Sequence, residues 1–215
     1  GGLLVARRDG TLERWDEQRR PLWRVELGAP AAVPPLVHRG EAIVMDAGGG
    51  VHAVALEDGR PRFRAELGAA PAPSAAAEGT VVLVERSGEM HGFDLAEREV
   101  RWSYGLDGEA WSGPAIWNQR VYAAGWSRVL HCLSLRTGDE AWTRPLPAAV
   151  TAAPVVASGV VWLVTEGGDL LGFDARTGDP RGTWPVAPAP LQAPPLPLGD
   201  RLIVAATDGT VVSFH

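Results

Sequence analysis

The chain has 215 residues, including 26 Gly and 18 Pro, with a 46% hydrophobic share, 21% charged residues and a formal net charge of −6. That much Gly and Pro excludes a helical bundle or coiled coil, and the apolar and aromatic content excludes intrinsic disorder. All 20 basic residues are Arg in an acidic chain, so no nucleic-acid partner is expected.

Residues 1–28 offer three short strands, Leu3–Ala6, Thr11–Trp15 and Leu22–Leu27. Beyond them Pro35, Pro73, Pro114, Pro154 and Pro194 recur at spacings of 38, 41, 40 and 40 residues. Phe63, Trp102 and Trp142 follow the same rhythm, 39 and 40 residues apart, after segments reading VHAVALEDGRPRF, MHGFDLAEREVRW and LHCLSLRTGDEAW. The next copy, LLGFDARTGDPRGTW, has its aromatic displaced to Trp184. A fixed period of this size marks a repeat architecture. Four units span 29–68, 69–108, 109–148 and 149–188, flanked by partial units at 1–28 and 189–215.

Within each unit the apolar period is two and the runs are short, which predicts four β-strands. Gly138 and Gly178, in Thr-Gly-Asp, can adopt the positive φ of a tight turn. Forty residues and four strands predict a blade of an all-β propeller, a single domain over 1–215. The N-terminal partial unit aligns with strands two to four and the C-terminal one with strands one to three, so they cannot merge into one blade. The expectation is six blades, two of them three-stranded, or a segment of a larger seven- or eight-bladed ring, which would expose an edge. Pro145–Val164 is an uncharged run, but Pro147, Pro154, Ser158 and Gly159 break it into two strands, so no transmembrane segment is expected.

Cys-Leu-Ser-Leu-Arg-Thr-Gly-Asp-Glu-Ala-Trp at 132–142 and Gly-Phe-Asp-Ala-Arg-Thr-Gly-Asp at 172–179 resemble the repeat of the quinoprotein-like (PQQ-like) propeller superfamily. Within it the chain is similar to the barrel-assembly lipoprotein branch of the outer membrane and to sensor propellers attached to bacterial kinases. The resemblance implies that a late Trp in each repeat docks between blades. Trp23, Trp102 and Trp142 match, Phe63 substitutes, and Trp184 is shifted by two. It also favours a periplasmic or extracytoplasmic location, although the chain begins Gly1-Gly2 with no leader in view.

The candidate chemistry is sparse. His52, His91 and His131 share one slot in three units; strands of neighbouring blades lie too far apart for one metal ion, so the reading is structural. The small residues after them, Ala53, Gly92 and Cys132, suit a close approach of neighbouring sheets. Asp16, Asp94 and Asp174 precede turns and are expected to accept backbone N–H bonds. Gly48-Gly49-Gly50 reads as a hairpin turn and not as a phosphate loop. No nucleophile motif is present, and the one cysteine, Cys132, can form neither an internal disulfide nor a Cys-based metal site. An enzyme of the superfamily would need an adjacent-cysteine disulfide and a calcium site, so no catalytic residue, metal or cofactor is expected.

Two aromatics stand outside the docking ladder. Trp111 precedes a first strand and Trp126 lies in a second-to-third turn of the same unit, which places both on one face of a propeller. Their equivalents in other units are Thr151 and Pro71, and Arg86 and Glu166. Asp46, Arg86, Glu166 and Asp208 are expected on the same mouth as a mixed-charge rim. Trp117 belongs on the opposite face and Trp162 in the core. These features predict a non-catalytic scaffold or sensor that binds a protein or peptide segment on the Trp111–Trp126 face, since Trp is enriched in binding hot spots. The alternatives are a small-ligand, quinone-type sensor and, third, a fragment of a quinoprotein dehydrogenase.

Overall fold

The computed structural model describes residues 2–32, 34–66 and 71–214, without the side chains of Pro71 and Pro73. The expected boundary at 68 and 69, and the side chain of Pro71, lie outside what is described. The architecture is an all-β propeller of six antiparallel sheets. The first sheet holds β1 (Leu3–Ala6), β2 (Thr11–Trp15) and β3 (Pro21–Glu26). The second holds β4 (Leu36–His38), β5 (Glu41–Met45), β6 (Gly50–Ala55) and β7 (Pro61–Glu66). The third comprises β8 (Pro71–Ala77), β9 (Thr80–Glu85), β10 (Glu89–Asp94) and β11 (Glu99–Gly105). The fourth runs through β12 (Ala115–Trp117), β13 (Arg120–Ala124), β14 (Val129–Ser134) and β15 (Glu140–Pro145). The fifth contains β16 (Val155–Ala157), β17 (Val160–Val164), β18 (Asp169–Asp174) and β19 (Pro180–Pro185), and the last β20 (Leu196–Leu198), β21 (Arg201–Ala205) and β22 (Val211–Phe214). Two sheets are therefore three-stranded, and no helix among the described residues is long and apolar enough to cross a membrane.

Middle strands are buried on both faces, as β6 and β9 show at every position, because each sheet packs against the one before and the one after. One face of a sheet meets the opposite face of its successor. Leu12 and Leu27 pack on Ala42, Val44 and Val54; Ile43, Met45 and Val51 pack on Val81, Leu83 and Phe93. The pattern continues with Val82 and Val84 on Val121 and Leu133, Leu130 and Tyr122 on Val161 and Leu171, and Val164 and Leu170 on Leu202 and Val204. Each fully buried Leu or Val contributes roughly 1.5–3 kcal/mol, so the sheet-to-sheet contacts hold the molecule together.

The aromatic ladder adds direction. Trp23 Nε1 donates to Leu56 O at 3.0 Å, Trp102 Nε1 to Leu135 O at 2.9 Å and Trp142 Nε1 to Arg176 O at 3.1 Å, each reaching the third-to-fourth turn of the next sheet. The rings lie over Gly59, Gly138 and Gly178, all at positive φ, where an added Cβ would come within 2.7–2.8 Å of the indole. In the third sheet the turn residue is Arg98, at φ 60°, and the preceding sheet offers Phe63, stacked on Phe93 with ring centroids 4.9 Å apart.

One expectation changes, and the displaced Trp184 finds its seat. The small residues after the histidines serve the aromatic of their own sheet: Ala53, Gly92 and Cys132 pair with Phe63, Trp102 and Trp142, and a Cβ on Gly92 would meet the Trp102 ring at 2.0 Å. In the fifth sheet Gly182 takes the register position opposite Gly172, and Trp184 falls opposite Leu170. Its ring covers Gly182 and packs at 5.4 Å from Trp162 and 6.4 Å from Phe214, so Trp162 joins the core at that interface.

Among the described residues the first sheet has no strand beyond β1 and the last none beyond β22. Leu3 and Leu22 on the former and Leu196, Leu198 and Val211 on the latter are exposed.

Candidate functional site

The loop before β12 and the loop between β13 and β14 meet through one residue. Glu109 accepts Trp126 N–H on its backbone oxygen at 3.2 Å and Trp111 Nε1–H on its carboxylate at 2.9 Å. Both indoles are 51% exposed and lie on one loop layer. Arg86, in the second-to-third loop of the third sheet, stands 4.5 Å above the Trp111 ring, a cation–π distance, while its backbone oxygen accepts from Ala110 N at 3.2 Å. The oxygens of Ser112 and Ser127, next to the two Trp residues, are buried without a partner. The result is an aromatic platform with a cation and a carboxylate.

The charged rim is only partly as expected. Arg86 is exposed at the platform, and Glu166 and Asp208 are exposed in the equivalent loops of the fifth and last sheets, bonded to neither Trp. Asp46 is a correction: it is 2% exposed, and its carboxylate accepts from Gly48 N at 2.8 Å, Gly50 N at 2.9 Å and His52 Nε2 at 2.7 Å. Burial works to raise its carboxyl pKa, and these bonds outweigh it and hold it below the ordinary range. With Oδ1 taken by the two glycine N–H groups and Oδ2 by His52, this buried carboxylate is turned into its own hairpin and away from a partner. Trp117 is exposed beside the β12–β13 turn. Glu109, which organises the platform, carries no signal in the sequence, because its position depends on two loops coming together.

The turn carboxylates act on the backbone. Asp94 accepts from Ala96 N and Glu97 N at 2.7 Å each, Asp174 from Arg176 N and Thr177 N at 2.9 and 3.0 Å, and Asp16 from Arg20 N at 2.8 Å. The Glu97 N–H is the largest influence lowering the Asp94 carboxyl, and the Arg181 guanidinium the largest on Asp174.

The three histidines sit in three separate interfaces. His52 Nε2 meets Asp46, and His91 Nε2 meets Glu85 at 3.2 Å. Gly125 takes the place of that acid in the fourth sheet, leaving His131 Nε2 buried without a partner, and burial lowers the His131 pKa. His131 instead uses Nδ1, 3.0 Å from the Tyr104 hydroxyl of the preceding sheet, which itself donates to Glu140 Oε2 at 2.7 Å. Among the described residues no three His, Cys, Asp or Glu side chains group as metal ligands would.

A propeller of repeated three- and four-stranded antiparallel sheets is the class that the fold defines. The family model described as outer membrane protein assembly factor BamB matches residues 1–112 and 107–215, and the chain belongs to that family. A BamB of Alkalilimnicola ehrlichii is 28% identical over 60% of this chain and 33% of its own length. The DNA damage-responsive serine/threonine-protein kinase RqkA of Deinococcus radiodurans is 33% identical over 37% of this chain and 16% of the kinase. The crystal structure of BamB from Moraxella catarrhalis superposes with a TM-score of 0.86 at 23% identity, covering all of this chain and 66% of that one. The computationally designed Ika8 protein gives 0.90 at 16% identity over 99% of this chain and 67% of its own. The chain thus matches a third or less of the length of its curated relatives and about two thirds of these propellers.

Proposed function

We propose that this chain is a non-catalytic interaction module that binds a protein segment on the platform formed by Trp111, Trp126, Arg86 and Glu109. The observation that carries the reading is a pair of half-exposed Trp residues on adjoining loops, the Trp111 indole and the Trp126 backbone both bonded to Glu109, whereas Trp23, Trp102, Trp142, Trp162 and Trp184 are spent on sheet docking or core. Membership of a family described as outer membrane protein assembly factors supports a protein ligand and suggests segments of outer-membrane proteins as the first class to try. Glu166 and Asp208 would orient an extended segment that crosses toward the fifth and last sheets.

The test is the affinity of synthetic outer-membrane protein strands for the wild type and for a Trp111→Ala, Trp126→Ala double variant. Hot-spot Trp residues contribute at least about 2 kcal/mol each, so binding should fall at least tenfold while the melting midpoint stays put. Unchanged affinity removes the platform from the reading. The same exposed rings favour a second reading, a quinone-type ligand stacked between them, on a sensor module like the segment shared with a DNA damage-responsive kinase. Saturable quenching of Trp fluorescence by pyrroloquinoline quinone, with a raised midpoint, would select it over the first.

A further inference from the structure

The repeat supplies a comparison inside one molecule. At the interface between third and fourth sheets, Tyr104 lies two residues beyond the docking Trp102, and its ring stands edge-on to His131 at 5.5 Å and 72°, with its hydroxyl shared between His131 Nδ1 and Glu140. The strand registers give the corresponding positions between first and second sheets: Val25, two residues beyond Trp23, for Tyr104; His52 for His131; and Pro61 for Glu140. Two large polar side chains are thus replaced by Val and Pro. The space they leave is a cavity of about 320 Å³ lined by Val25, Leu27, His52, Val54, Pro61 and Arg62.

The histidine in that cavity is fixed. Asp46 accepts at 2.7 Å from His52 Nε2, and in the neutral ring a proton on Nε2 leaves Nδ1 as an acceptor. Its counterparts are occupied: His91 Nδ1 is 2.8 Å from Ser103 Oγ, and His131 Nδ1 meets Tyr104. The residue of the second sheet that corresponds to Ser103 is Arg64, whose guanidinium pairs with Glu66 at 2.7 Å. No described residue bonds His52 Nδ1. The cavity therefore offers apolar walls from Val25, Leu27 and Val54 and an oriented imidazole acceptor, beside the charged Glu26, Arg62 and Arg64 that also line it, at the low end of the roughly 300–1,000 Å³ range of small-ligand sites.

We infer that the cavity between the first two sheets binds a phenolic ring, whose hydroxyl donates to His52 Nδ1 and whose face packs on Val25, Leu27 and Val54, in the place that the chain's own Tyr104 fills two interfaces further on, where the hydroxyl donates to Glu140 and accepts from His131 Nδ1. The ring can belong to a free phenol or to a tyrosine side chain; the recognising chemistry is the same. The site is separate from the Trp111–Trp126 platform and does not depend on it.

The probe is p-cresol, the tyrosine side chain without its backbone, followed through the imidazole nitrogen resonances of His52. Saturable shifts at His52 are expected, with toluene, which lacks the hydroxyl, binding about fivefold or more weakly, as loss of one neutral hydrogen bond requires. Equal binding of the two, or no shift at His52, overturns the inference, and this comparison needs no variant. Val25→Tyr and Val25→Phe refill the space from within, and each should abolish p-cresol binding in a protein that still melts cooperatively; undiminished binding to either would place the ligand elsewhere. N-acetyl-tyrosinamide separates the sources: binding like p-cresol admits a tyrosine from a polypeptide, and binding of p-cresol alone assigns the site to free phenols. Trp111→Ala with Trp126→Ala should leave all of these titrations unchanged.

Discussion

Gly138 shows how much one hydrogen atom can decide. At φ 73° an L-residue costs about 1–2 kcal/mol, and the Trp102 side chain leaves no room for a Cβ, with two ring atoms at 2.7 Å and its own Cβ at 2.8 Å. Gly159 shares the backbone conformation, φ 74°, but has nothing within 4 Å of its missing Cβ. Gly159→Ala should therefore cost about 1–2 kcal/mol for the backbone alone, and Gly138→Ala a further 1–3 kcal/mol for overpacking against the indole. Urea unfolding of the two variants measures the difference, and equal losses would show that Trp102 does not dock so closely. The Thr-Gly-Asp signal for this turn was legible in the sequence because it is local. Glu109 was not, since nothing in Asp-Gly-Glu-Ala-Trp says that its carboxylate turns to Trp111 while its carbonyl takes Trp126 N–H.

Between elements, the rule is that a docking Trp needs a Gly at the turn it meets. Three interfaces obey it, and the interface between second and third sheets avoids the conflict with Phe63 facing a turn built on Arg98. Arg98 N donates to Asp94 O as Gly138 N does to Ser134 O, at 2.8 and 2.9 Å, so the two turns are equivalent. Phe63→Trp alone should destabilise by about 1–3 kcal/mol, since the larger ring meets the Arg98 Cβ. Phe63→Trp with Arg98→Gly should recover most of that loss. Non-additivity in a double-mutant cycle reads out the pairing directly, and strict additivity would refute it. The repeat period made four of the docking positions legible from sequence, but the reason Phe63 substitutes emerges only when the facing turn is known. The displaced Trp184 likewise makes sense once Gly172, Gly182 and Trp162 are seen to shape its seat.

For the whole molecule, a sheet that packs only on its neighbours gains stability from each of two interfaces, and a sheet at either end has one. Stability in such arrays is close to a sum of unit and nearest-neighbour terms. The middle strands of the second to fifth sheets are largely buried on both faces, with Val37, Val100 and Trp117 exposed on outer strands, whereas the first and last sheets, with one packed neighbour each among the described residues, leave Leu3, Leu22, Leu196, Leu198 and Val211 exposed. Amide exchange should then be graded along the chain: slowest in β9, β13 and β17, whose strands are flanked by packed sheets, and fastest in β1–β3 and β20–β22. Local openings cost less where fewer apolar contacts must be broken, so the end sheets should exchange through openings well below the global unfolding free energy. Hydrogen exchange followed by mass spectrometry tests this at two protein concentrations. Uniform protection at the higher concentration with graded protection at the lower would mean that another copy covers the exposed faces; uniform protection at both would contradict the nearest-neighbour account of this propeller.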